Sequence, residues 1–140
     1  VRYVCNKVYH LMNGIYTINN KKILVVGGAE SHDKEWRIKD VDWWEQELPS
    51  ATQLGNLKNA INSSDKKFDI IITHCAPDWV QNHFVDTDYP NNRLTHFLDD
   101  VSNTVQYREW YCGHYHKDES LIIDGATGFT FLYNNVEQII

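Results

Sequence analysis

Apolar residues fall into two kinds of pattern along this chain, and the two alternate. Lys22-Ile23-Leu24-Val25-Val26 and Phe68-Asp69-Ile70-Ile71-Ile72-Thr73 are short, β-branched and nearly unbroken by polar residues, which is the pattern of strands buried inside a sheet. Between them Leu54, Leu57, Ala60 and Ile61 recur at helical spacing on one face. Ser50 caps that predicted helix, Gln53 completes a capping box, and the polar run 62–65 closes it. Leu94, Phe97, Leu98 and Val101 make a second amphipathic helix ahead of a strand over residues 106–112. Strand, helix, strand, helix, strand predicts an α/β fold in which the strands ending at Val26, Thr73 and Cys112 bring their C-terminal ends to one edge.

The remaining stretches fill in a mixed sheet with flanking helices. Lys7 to Leu11 and Gly14 to Ile18 read as strands joined at Met12-Asn13-Gly14, Asn-Gly being a strong hairpin signal, and Asn19-Asn20-Lys21 turns the chain into the Lys22 strand. Residues 29–49 lack periodicity and read as a long ordered loop with helical turns. Its Trp36, Trp43 and Trp44 are expected to anchor the core, the alternative for Trp43 and Trp44 being one wall of a substrate cleft. Asp78 is expected to cap a short helix running to Phe84, and residues 86–92 read as loop. Leu121 to Asp124 and Thr127 to Tyr133 read as two strands around Gly125-Ala126. With no linker or internal repeat, residues 1–140 read as a single domain portion.

Composition narrows the field. A chain of 140 residues that is 42% hydrophobic can bury a sizeable core. No apolar run approaches the roughly 20 residues that span a bilayer, so no membrane partner is expected. A net charge of -6 argues against a broad nucleic-acid surface, which needs clustered Lys and Arg. Cys5, Cys75 and Cys112 are too few and too scattered for a disulfide framework and read as reduced thiols of a cytoplasmic protein. Cys75 and Cys112 each lie beside a candidate ligand and are themselves alternative metal ligands.

The chemistry collects at the predicted strand ends. Residues 110–116, Trp-Tyr-Cys-Gly-His-Tyr-His, end in Gly-His-x-His, and in an extended segment His114 and His116 project to one face as two neutral nitrogen donors. His74 stands at the end of the Phe68 strand before Cys75-Ala76-Pro77, and the Lys22 strand ends in Gly27-Gly28-Ala29, where something needs close backbone approach. His10, His32, His83 and His96 have no motif spacing and read as surface or locally bonded residues, although His32 lies where it can approach the site. Ser31 and Asp33 flank it, as turn-forming residues or as substrate contacts. On residue types alone, His74, His114 and His116 also allow a mononuclear three-histidine zinc site open to water.

Read together, Gly-Gly-Ala, Thr-His-Cys-Ala-Pro and Gly-His-Tyr-His, with Gly-Gly-Ala-x-Ser-x-Asp from Gly27 to Asp33 and Trp43-Trp44 followed by Glu47, resemble the C-terminal half of the calcineurin-like metallophosphoesterase family. The resemblance implies the C-terminal portion of a metallophosphoesterase-type β-sandwich. It also implies a hydrolase that cleaves phosphate mono- or diesters with two divalent ions (Mn, Fe or Zn). Carried over motif by motif, His74 and His114 match ligands of the second metal and His116 a ligand of the first. Gly28, Ser31, His32 and Asp33 are substrate-pocket candidates. The family's N-terminal Asp-x-His, Gly-Asp and Gly-Asn-His motifs are not in these residues, and Val1 is not an initiator methionine, so a piece of a longer protein is expected. Three neutral imidazoles cannot offset two mutually repelling dications, so this portion alone is expected to bind at most one ion weakly. Its other expected partners are the missing N-terminal half of the domain and, through exposed edges, further copies of itself. The alternative within the family is a non-catalytic scaffold that binds other proteins.

Overall fold

In the computed structural model of the protein, residues 1–5, 7–31, 33–85 and 89–139 are described. Chain order is β1 (Arg2–Cys5), β2 (Val8–His10), β3 (Gly14–Ile18), β4 (Lys21–Val26), α1 (Ala51–Asn62), β5 (Lys67–Thr73), α2 (Asp78–Phe84), α3 (Arg93–Thr104), β6 (Gln106–Cys112), β7 (Glu119–Ile123) and β8 (Thr127–Phe131). Two 3-10 turns, Lys34–Trp36 and Glu45–Glu47, interrupt the loop before α1, as the lack of periodicity there implies. The fold is mixed α/β. Six strands form one sheet in the order β3-β4-β5-β6-β8-β7, with β1 and β2 in a separate pair.

The centre of the sheet is parallel, β4 with β5, β5 with β6 and β6 with β8, while β3–β4 and β7–β8 are antiparallel. Because β4, β5 and β6 run the same way, the residues that follow Val26, Thr73 and Cys112 emerge at one edge. Helix burial explains the parallel crossovers. Leu54, Leu57 and Ile61 of α1 and Leu94, Phe97, Leu98 and Val101 of α3 share a core with Leu24, Val26, Ile71, Trp110 and Phe129. The other face of the sheet carries a smaller cluster of Ile23, Val25 and Ile70, with Tyr16, Ile72 and Tyr111 packed at its margin.

Several expectations are corrected. Asn13-Gly14 is not a hairpin turn: β2 pairs with β1, and the Asn13 side-chain oxygen instead accepts the Gly27 N–H at 2.7 Å. The tight hairpin is β3–β4, where Ile18 pairs with Lys21 across Asn19 (φ 48) and Asn20 (φ 62), two left-handed residues as a type I′ turn demands. Ser50 caps α1 as expected, but α2 is capped by Pro77, with Asp78 as its first residue. Trp36 and Trp44 are 88% and 45% exposed, and neither they nor Trp43 enters a hydrophobic cluster, so they are not core anchors. Part of the predicted 86–92 loop, residues 86–88, lies outside the described residues.

Candidate functional site

The three strand ends meet around one cavity. β4 leads into Gly27-Gly28, β5 into His74 and β6 into Gly113-His114, and Gly113 N–H donates to the His74 carbonyl at 3.0 Å, tying the second loop to the third. A Cβ on residue 113 would lie 3.4 Å from His74 Nδ1, so glycine there lets backbone run close beneath the imidazole. The His74 and His114 rings stand side by side, with centroids 5.0 Å apart and planes at 60°.

The Gly-His-x-His run is not extended, which corrects the reason given for its geometry. β6 stops at Cys112, and His114 (φ 68) and His116 (φ 51) are both left-handed. The chain bends twice, so that His116 stacks on Tyr133 (4.7 Å, 26°) while still lining the same cavity as His74 and His114. That cavity encloses about 320 Å³.

Its opposite wall comes from the loop after β4. Gly28, Ser31 and Asp33 all line it, as do Arg37 and Glu47. His32, the fourth substrate-pocket candidate, lies outside the described residues. Asp33 is ion-paired with Arg37 at 2.7 Å, and Ser31 Oγ donates to Glu47 Oε2 at 3.0 Å, while Glu47 Oε1 accepts the Trp44 N–H at 3.2 Å. Gly28 sits at φ 107, and a Cβ there would come within 2.5 Å of the Glu47 carbonyl and 2.6 Å of Pro49. The close approach expected at this turn is therefore made by the chain's own backbone.

Burial, and then the nearby charge of His116, lower the pKa of His74 from its ordinary value. Cys75 and Cys112 are buried among core residues, and Cys75 Sγ donates to the Gly28 carbonyl at 3.3 Å. Burial pushes the Cys75 thiol up to about 12, far from the thiolate a metal takes.

The 5.0 Å between the His74 and His114 ring centroids is within the reach of two imidazoles on one ion, whose ligating nitrogens lie about 2 Å from it. Among the described residues, however, no group of three or more His, Cys, Asp or Glu side chains is drawn together to hold an ion. Asp33 and Glu47 turn to Arg37, Ser31 and Trp44. The described side chains therefore do not form a donor group that fits a pair of dications.

Two residues not singled out from the sequence, Tyr115 and Arg37, also shape the site. Tyr115, between the two histidines, points into the core, where its hydroxyl accepts the Ala76 N–H at 2.8 Å and donates to Gln81 Oε1 at 2.9 Å. Gln81 Nε2 in turn donates to the Tyr89 carbonyl at 2.6 Å and to Asn91 at 2.9 Å. One hydroxyl thus links the His74 loop, the His114 loop and the segment before α3. For Tyr115 the readable clue was its place between two candidate ligands, since a tyrosine that turns inward there needs a partner for its OH. Arg37 had none, because its loop carries no periodic pattern. Outside the site, His83 Nδ1 is bonded locally to the Trp79 carbonyl at 2.7 Å, whereas His96 of α3 is bonded to Asp78 at the start of α2.

Comparison of the chain with protein-family models, with curated proteins and with solved structures gives no match. Among the described residues no helix is long and apolar enough to cross a membrane.

Proposed function

We propose that this chain supplies the histidine side of a metal-dependent phosphoesterase site that hydrolyses phosphate mono- or diesters. The observation that carries the reading is the meeting of His74, His114 and His116 with Asp33 and Arg37 around one cavity at the C-terminal ends of three parallel strands. In this class two divalent ions, when bound, supply Lewis acidity and a water of lowered pKa. On the protein's side, partial burial lowers the His74 pKa, Arg37 brings a guanidinium paired with Asp33 to the cavity wall, and Ser31 holds its hydroxyl against Glu47. The bridging aspartate and remaining ligands belong, in this reading, to sequence bearing the Asp-x-His, Gly-Asp and Gly-Asn-His motifs. The face bearing Ile23, Val25 and Ile70 would receive that sequence as the second layer of a β-sandwich, and the β3 and β7 edges are where copies would otherwise associate.

A scaffold reading draws on the lack, among the described residues, of a ready three-donor group. Metal stoichiometry and turnover separate the two. In the protein carrying the upstream motifs, two ions per chain and Mn²⁺-dependent hydrolysis of bis(p-nitrophenyl) phosphate are expected. His114→Ala and His116→Ala should each lower the rate on the order of a thousandfold, and His96→Ala should change little. The 140 residues alone should be nearly inert, and chelator-sensitive turnover by them, or an ion-free but complete protein, would overturn the proposal.

A further inference from the structure

A second cavity, of about 230 Å³, adjoins the first and shares Ala29, Ser31 and Glu47 with it as a common wall. Its far side is made by Trp43 and Trp44. Trp44 is 45% exposed and neither indole belongs to a hydrophobic cluster, so packing does not account for the pair. Trp43 is already covered: the ammonium groups of Lys34 and Lys39 lie 5.0 and 5.9 Å from its ring centroid. These lysines also neutralise Glu30 and Glu45 through ion pairs. What the cavity leaves on offer is the Trp44 ring and the guanidinium of Arg93.

Arg93 is fixed rather than mobile. Its Nε donates to the Pro49 carbonyl at 2.8 Å and its Nη2 to the Leu48 carbonyl at 3.3 Å, and among the described residues no carboxylate lies at ion-pair distance from it. An exposed indole beside a fixed guanidinium, a planar set of N–H donors, selects a flat aromatic ring that carries hydrogen-bond acceptors. The volume, below the roughly 300 Å³ of clefts that enclose drug-sized ligands, suits one ring system rather than a whole molecule. The shared wall then gives the geometry: a phosphoryl group among the histidines and a ring one short linker away.

We infer that this second cavity binds the base of a nucleotide whose phosphoryl group occupies the histidine cavity, so that the substrates of the proposed phosphoesterase are nucleotide esters. The inference rests on that reading, and the ring and the reaction can be tested apart. Calorimetric titration of the protein with adenosine 5′-monophosphate and with ribose 5-phosphate reads the ring without hydrolysis. Base stacking of this kind makes the nucleotide bind at least about tenfold more tightly than the sugar phosphate, and Trp44→Leu removes about tenfold from the nucleotide alone. Trp36→Leu, which alters an exposed tryptophan outside the cavity, leaves both unchanged. Equal affinity for the two ligands, no binding of either at millimolar concentration, or a Trp44→Leu variant that binds the nucleotide as well as the unaltered protein would overturn the inference. Ring-dependent binding without metal-dependent turnover in the complete protein would uphold the nucleotide pocket and remove the phosphoesterase reading.

Discussion

At the scale of single residues, two glycines show how differently the same side chain is used. Gly28 has φ 107 and backbone within 2.5 Å of where a Cβ would stand, whereas Gly55 lies inside α1 with nothing within 4 Å. Gly28→Ala must displace Glu47 or the turn itself and is expected to destabilise the protein by about 2 kcal/mol or more. Gly55→Ala should stabilise it by roughly 0.5–1 kcal/mol, by restricting the unfolded chain and improving helix propensity. Urea midpoints at constant slope check both, and a Gly28→Ala protein as stable as the parent would contradict the clash. The sequence marked Gly28 as a place of close approach, but it could not say what approaches, because Glu47 and Pro49 reach it across a loop without periodicity. The tryptophans were misjudged for the same reason: residue type signals burial only where a pattern of neighbours supports it.

At the scale of elements, legibility followed pattern length. The α1 capping box and the apolar spacing of α1 and α3 are local and long, and they appear as read. The hairpin failed because two Asn-containing turns compete within eight residues and only pairing decides between them. Asn13 is taken by Gly27, which leaves Asn19-Asn20 to close the strands. The histidine run was expected to present its imidazoles from an extended segment, whereas left-handed residues stand on either side of Tyr115, whose hydroxyl is bonded in the core. Tyr115→Phe keeps the ring and removes one oxygen, leaving the Ala76 N–H and Gln81 Oε1 buried without it. A loss of about 1–3 kcal/mol is expected. Faster amide exchange at residues 74–77 should accompany it, and unchanged exchange there would show that the hydroxyl does not anchor the loop.

At the scale of the whole molecule, burial sorts the titratable groups and makes stability fall in alkali. Burial holds the Cys75 thiol and the Tyr107 hydroxyl near 12, and raises Cys112 and Tyr115 further still, whereas in the unfolded chain they ionise near 9.0 and 10.0. Because these folded-state values are raised, their stabilising effect is complete below about pH 9 and is lost progressively as pH climbs toward 12. A thermal midpoint that falls steadily over that range is expected, and a flat profile would mean that the groups are solvated. The same burial predicts that one thiol, exposed Cys5, reacts quickly with a disulfide reagent at pH 8 while Cys75 and Cys112 wait for unfolding. Three fast thiols in the native protein would contradict the core as drawn. The sheet order carries a last consequence. β8 inserts between β6 and β7, so that during synthesis β7 leaves the ribosome before the strand it pairs with. It must stay unzipped until the residues through Phe131 have followed it out, so that among the described strands this margin closes late on the nascent chain and is one a co-translational chaperone would find open.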